Sequence, residues 1–160
     1  MMISIVLTKE HPLAYEVRVS LISCLYDINA TYMDLIGYLK EAHWNSEGSP
    51  TFHSLHLLFD SIQQAIIPFV DVVGERIRAL GGTSFANTKF ILEYSKLNEL
   101  TVNNSVEGNI SAIVSGLKQL RSELYAKLDI VNPIDSVTGS MLQIQTEEVD
   151  KLIYLLGSCM

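Results

Sequence analysis

A four-helix bundle with one long crossover is the fold this sequence predicts. Four segments repeat apolar residues at the three- and four-residue spacing of helices, and the first two run for about 30 residues each. Between the second and third, residues 82–108 form a connection rich in Gly, Asn, Ser and Thr. Two long helices, a long link and two further helices fit a bundle in which one connection crosses its end.

The first helix is expected over Ala14 to Ala42, where Val17, Leu21, Leu25, Ile28, Tyr32, Leu35, Leu39 and Ala42 recur in a near-heptad pattern. His43 and Trp44 end it just before the turn NSEGSP, in which Ser49 is placed to cap and Pro50 to occupy the first position of the next helix. That second helix should run from Thr51 to Leu80 on Leu55, Leu58, Ile62, Ile66, Phe69, Val73, Ile77 and Leu80, and stop at Gly81-Gly82. Pro68 lies inside it. Because proline removes one ladder bond and costs about 3 kcal/mol in a helix interior, a kink between Gln64 and Pro68, or two abutting helices, is expected there.

A link as long as 82–108 usually carries structure of its own, and a short helix is expected over Asn87 to Tyr94. The third long helix follows on Ile110, Ile113, Leu117, Leu120, Leu124, Leu128 and Val131, and ends at Asn132-Pro133. Asp135 should cap the fourth, which carries Leu142, Val149, Leu152, Ile153 and Leu156. This connectivity points to the all-α, ferritin-like class, with residues 1–160 as a single domain long enough to bury a core.

Composition narrows the function. The chain is 48% hydrophobic, yet no uninterrupted apolar run approaches the roughly 20 residues that span a bilayer. Surplus apolar surface buried between subunits is the expectation instead. No basic region precedes the apolar patch near the N-terminus, so no signal peptide is expected. Cys24 and Cys159 lie far apart, without the spacing of a zinc site or disulfide framework, and a reducing cytoplasm is the expected setting. With a net charge of −7 and no run of Lys or Arg, the chain lacks the basic footprint of nucleic-acid binding.

The stretch His43 to Gly82 holds three of the four histidines and the only tryptophan. On one helix His56, Asp60, Asp71 and Glu75 fall at about 0°, 40°, 60° and 100°, which is a single stripe. Imidazole nitrogen with carboxylate oxygen suits iron, manganese or zinc, and a pair four residues apart can clamp one ion. His56 with Asp60 and Asp71 with Glu75 are two such pairs, but their midpoints stand roughly 22 Å apart, too far for one centre. If two copies of this helix pack antiparallel about a two-fold axis near Ala65, each pair of one copy faces the other pair of its neighbour. His43 can add a nitrogen to the His56 and Asp60 half. Taken alone, Asp71 and Glu75 read equally well as solvated helix-face charges, and His53, about 60° off the stripe, reads as a surface residue. The Glu-x-x-His pairs of an ordinary ferritin centre are missing, and the third and fourth helices hold no histidine, so a di-iron site inside one subunit is not expected.

HWNSEG, Phe52, LHLLFD from Leu55 to Asp60, and DVVGERIRALGG from Asp71 to Gly82 resemble the signature of the Dps family, small ferritins first described as DNA-binding proteins of starved cells. The resemblance implies that His43, His56 and Asp60 of one subunit and Asp71 and Glu75 of its two-fold partner are ferroxidase ligands. It implies a hollow shell of twelve subunits in which Fe(II) is oxidised by hydrogen peroxide or dioxygen and stored as ferric mineral, protecting against oxidative stress. Trp44, beside His43, then reads either as an acceptor of stray oxidising equivalents or as an interface hydrophobe. Two positions depart from the pattern, Gly74 where alanine is usual and Pro68 between the half-sites. Only Lys9 stands where many DNA-binding members carry a lysine-rich tail, so DNA binding is not expected here, and a DNA-compacting protein is the alternative.

Overall fold

The computed structural model describes residues 4–48 and 50–160. Among them are five helices and no strand: α1 Tyr15–Asn45, α2 Phe52–Ala79, the short α3 Thr88–Tyr94, α4 Val106–Val131 and α5 Ser136–Gly157. α1 packs along α2 and α4, α4 along α5, and α2 meets α5 more lightly, while α3 lies against α1. The expected all-α, ferritin-like bundle with a helix in its crossover is the fold found.

Its core follows the periodicity of the sequence. Leu21, Leu25, Ile28, Tyr32, Leu35 and Leu39 of α1 are fully buried against Phe59, Ile62, Ile66, Val73 and Ile77 of α2. Ile113, Leu117, Leu120 and Leu124 of α4 and Leu142, Val149 and Leu156 of α5 close the other side. Each such side chain contributes about 1.5–3 kcal/mol by leaving water. The Tyr32 hydroxyl, buried among them, donates to Gln145 Oε1 at 3.1 Å, which ties α1 to α5.

The element ends differ from expectation in three places. α2 is one continuous helix through Pro68 rather than two abutting ones. Pro68 is exposed, so the lost ladder bond leaves no proline ring to fit into the core, and Ile62, Ile66 and Val73 hold the helix on both sides. Pro50 is not the first helical residue: it lies in the turn, Thr51 stands at the cap position, and Ser49 lies outside the described residues. α4 starts four residues before Ile110, because Ser105 caps it by accepting from Gly108 N at 3.2 Å. Asp135 caps α5 as expected, accepting from Val137 N at 3.3 Å.

At the far end of α2, Gly81 turns the chain with φ +93°, a backbone conformation that favours glycine. A Cβ on Gly82 would stand 2.8 Å from Ile22 Cδ1, so only glycine lets the chain pass this close to α1. Buried Arg18 donates to Lys9 O at 2.8 Å and Leu80 O at 3.3 Å, binding the segment before α1 to this turn. The crossover is latched to α1 by Ser95 Oγ on Asp34 at 2.6 Å, by Lys96 N on Thr31 Oγ1 at 3.0 Å, and by Phe85, Phe90 and Tyr94 around the ring of Tyr26.

By length and composition α2 is also the one helix among the described residues long and apolar enough to cross a membrane. Its average hydropathy reveals this, whereas no uninterrupted apolar run does. Part of that apolar character lines the core, and part stands on the outer face as Leu57, Ile67 and Val72, between the charges of Asp60, Asp71 and Glu75.

Candidate metal centre

The last turn of α1 lies beside the first turns of α2, and this brings His43 and His56 together. Their rings stack with centroids 3.6 Å apart and planes 25° from parallel. Each ring nitrogen Nδ1 lies 3.0 Å from the other residue's main-chain carbonyl, His43 on His56 O and His56 on His43 O. A carbonyl oxygen only accepts, so in both rings Nδ1 carries the hydrogen and a neutral ring keeps its lone pair on Nε2. The reciprocal bonds thus fix ring orientation and tautomer and leave two nitrogens free to ligate.

Asp60, one turn along α2 from His56, joins the same cluster with Oδ1 3.3 Å from His43 Nδ1. Lys40, one turn before His43, reaches the same oxygen at 3.0 Å. The hydrogen bond from Lys40 is the main reason the Asp60 carboxyl sits below its ordinary range; it outweighs partial desolvation and is helped by His43 and by the Lys40 charge. The site therefore holds an ionised carboxylate already paired with an ammonium group. A dication arriving at Asp60 meets that ammonium as a competitor.

Beneath this half-site the end of α1 is tied to α4. Ser46, 1% exposed, donates to Ala42 O at 2.7 Å and accepts from Asn109 Nδ2 at 3.1 Å. Phe52 leans on the outer side of His56 at 5.3 Å, whereas Trp44 is 70% exposed and His53 is exposed too.

Asp71 and Glu75 stand elsewhere. Both are exposed on α2 along a groove of about 1150 Å³ whose walls include Met33 and Ile36 of α1 and Ile67 and Val70 of α2. The rotation of α2 at this point is set by Arg76, which donates from Nε to Thr138 Oγ1 at 2.8 Å and from Nη2 to Asp135 Oδ2 at 2.6 Å. Burial pushes the Asp135 carboxyl up, but the bonds from Thr138 and Arg76 outweigh it and hold it below the ordinary range. The structure brings together His43, His56 and Asp60 and keeps Asp71 and Glu75 about 22 Å away along the helix. Among the described residues, no three His, Cys, Asp or Glu side chains of one chain form a ready metal cage.

Sequence reasoning misses Lys40 and the pair Ser46 and Asn109. Lys40 has a signal, since three residues before His43 places it on the same face of α1. Asn109 has none, because its role depends on a contact 63 residues away.

Four long helices, one crossover with its own short helix, and a histidine and carboxylate stripe on the second helix define a ferritin-like protein. The ferritin-like domain family matches residues 24–159. DNA protection during starvation protein 2 of Bacillus anthracis is 30% identical over 128 residues, covering 79% of this chain and 87% of that one. Among solved structures, the tetragonal form of Mycobacterium smegmatis Dps superposes with a TM-score of 0.88 at 22% identity, covering 97% of this chain and 92% of that one. The Vibrio cholerae Dps protein, described as a member of a broad superfamily of ferritin-like diiron-carboxylate proteins, gives 0.85 at 20% identity over 94% and 98% of the two chains. The chain belongs to the Dps family of ferritin-like proteins.

Proposed function

We propose that this protein oxidises Fe(II) at centres shared between two subunits and stores the product as ferric mineral inside a closed homo-oligomeric shell, a dodecamer. One observation carries the reading: the two halves of the ligand stripe lie at opposite ends of α2, and neither half is a complete site. In the proposed centre His43, His56 and Asp60 face Asp71 and Glu75 of the partner subunit. Membership of the Dps family supports it, as does the exposed apolar face of α2, which a second copy covers.

Two nitrogens and three carboxylates suit ferrous iron and leave coordination positions open. Reduction of one hydrogen peroxide by two Fe(II) takes up two protons and gives two Fe(III) and two water molecules, so no hydroxyl radical is released. Asp60 binds the incoming cation as Lys40 gives way, and the stacked histidines hold their free nitrogens in place. Zinc or manganese fits the same donors, and metal analysis of the native protein decides between a turnover site and a static one. Anaerobic addition of Fe(II) followed by peroxide, or admission of dioxygen, should raise ferric absorbance. A variant carrying Asp71→Ala and Glu75→Ala that oxidises iron at the wild-type rate refutes the assignment.

The name of the Bacillus anthracis relative supports a second reading, DNA protection. Shielding through iron and peroxide removal needs no contact with DNA. Direct binding needs clustered cations, which a net charge of −7 without basic runs does not supply. A gel shift at physiological salt should therefore show no complex. The reading also sets the protein in the cytoplasm, acting on Fe(II) and peroxide without a membrane partner.

A further inference from the structure

The groove that holds Asp71 and Glu75 has one sulfur among the described residues of its wall, that of Met33. α1 and α2 run antiparallel in a fixed register: Lys40 meets Asp60 at 3.0 Å, Gln63 Nε2 reaches Ile36 O at 3.4 Å, and the rings of Tyr32 and Phe69 stand 5.9 Å apart. Asn29 continues the series beside Gly74, with Nδ2 3.9 Å from where a Cβ would stand. Met33, one turn of α1 on from Asn29, therefore lies level with the turn of α2 that leads into Asp71. It packs against the core and stays partly open to the groove. The described residues lining the groove include no Cys, Trp, Tyr or His, so the thioether is the one side chain there that peroxide oxidises readily.

We propose that Met33 is a modification site: its thioether is converted to the sulfoxide by hydrogen peroxide that finds no Fe(II) left at the adjoining centre. The inference rests on the ferroxidase reading, which brings peroxide to Asp71 and Glu75. In this step the O–O bond of peroxide breaks and an S–O bond forms at Met33 Sδ. The sulfur gives up two electrons, and the second oxygen leaves as water with both protons. No radical is released, and the surplus oxidant is consumed where it arises. A second copy covering α2 encloses Met33 with the centre and does not shield it, since the oxidant is already inside.

Peptide mass spectrometry of the assembled full-length protein reads the step as the gain of one oxygen at Met33, while Met160, 72% exposed, reports oxidant in bulk solution. Peroxide in excess over Fe(II) should oxidise Met33 several-fold more than the same peroxide without iron, with Met160 oxidised equally in both. Met33→Leu, close in volume, should keep the first-cycle Fe(II) oxidation rate and lose it in several-fold fewer cycles of excess peroxide. Ferric absorbance with Met33 unmodified overturns the proposal, as does Met33 oxidation that is the same with and without iron, or unchanged endurance in Met33→Leu. An iron-dependent gain at Met160 rather than Met33 shows the oxidant escaping the centre and overturns it too. No ferric absorbance in the wild type is the separate failure of the ferroxidase reading, and the proposal falls with it. If Met33→Leu does not assemble, the peptide comparison in the wild type decides.

Discussion

Asp135→Ala tests whether the far end of α2 is held by its contact with α5. In the native chain the Asp135 carboxylate accepts from Arg76 at 2.6 Å, from the Thr138 hydroxyl, and from Val137 N at 3.3 Å as the cap of α5. Side-chain exposure is 16% for Arg76 and 8% for Asp135, so alanine leaves a guanidinium with little water to replace its partner. Removing one member of a buried pair costs about 3–5 kcal/mol, and the accessible edge of Arg76 places this case near 3. Loss of the cap adds about 1 kcal/mol, for a total of roughly 4. Asp135→Asn keeps the cap and a hydrogen bond to Arg76 and should lose about half as much. Urea midpoints should be compared at one protein concentration, because assembly couples stability to concentration. The folded-state pKa of Asp135 is lowered, so its contribution is complete above the unfolded value near 3.9 and fades as pH falls through the lower folded value. The gap between wild type and Asp135→Ala should therefore hold from pH 7 to about 4 and close below it. A loss under about 1 kcal/mol at pH 7, or a gap that does not close in acid, shows that Asp135 does not anchor α2 in this way.

Lys40→Met should tighten anaerobic Fe(II) binding several-fold, most clearly at low ionic strength, because Asp60 then meets the cation without a competing ammonium; unchanged affinity by titration argues against that role. Pro68→Ala should raise the unfolding free energy by about 1–3 kcal/mol, since it restores a ladder bond at an exposed helix position. Iron stoichiometry should stay the same, because Pro68 lies in neither half-site. A Pro68→Ala protein less stable than wild type refutes this cost.

Legibility follows the range of the interactions. The helices are readable because burial repeats along the chain, and α2 in particular keeps its stripe on both sides of Pro68. α2 runs on through Pro68 rather than dividing into two helices because the proline costs it one ladder bond, while buried Ile62, Ile66 and Val73 hold the helix on both sides. The cap at Asp135 is visible locally, but its pairing with Arg76 spans 59 residues and leaves no pattern in the sequence. The same holds for the site. The stripe from His56 to Glu75 follows from helical geometry, whereas the reciprocal histidine bonds need α1 and α2 laid side by side.

Each proposed centre takes its ligands from two chains, and subunit mixing tests this directly. A His56→Ala chain and a chain with Asp71→Ala and Glu75→Ala should each be inactive as pure assemblies. Reassembled together in equal amounts, about half of the two-fold pairs are mixed, and each mixed pair has one complete centre and one doubly emptied one. Recovery of about a quarter of the wild-type Fe(II) oxidation is expected. No recovery in mixed shells that have formed, or near wild-type activity in either pure variant, rules out a centre shared between chains.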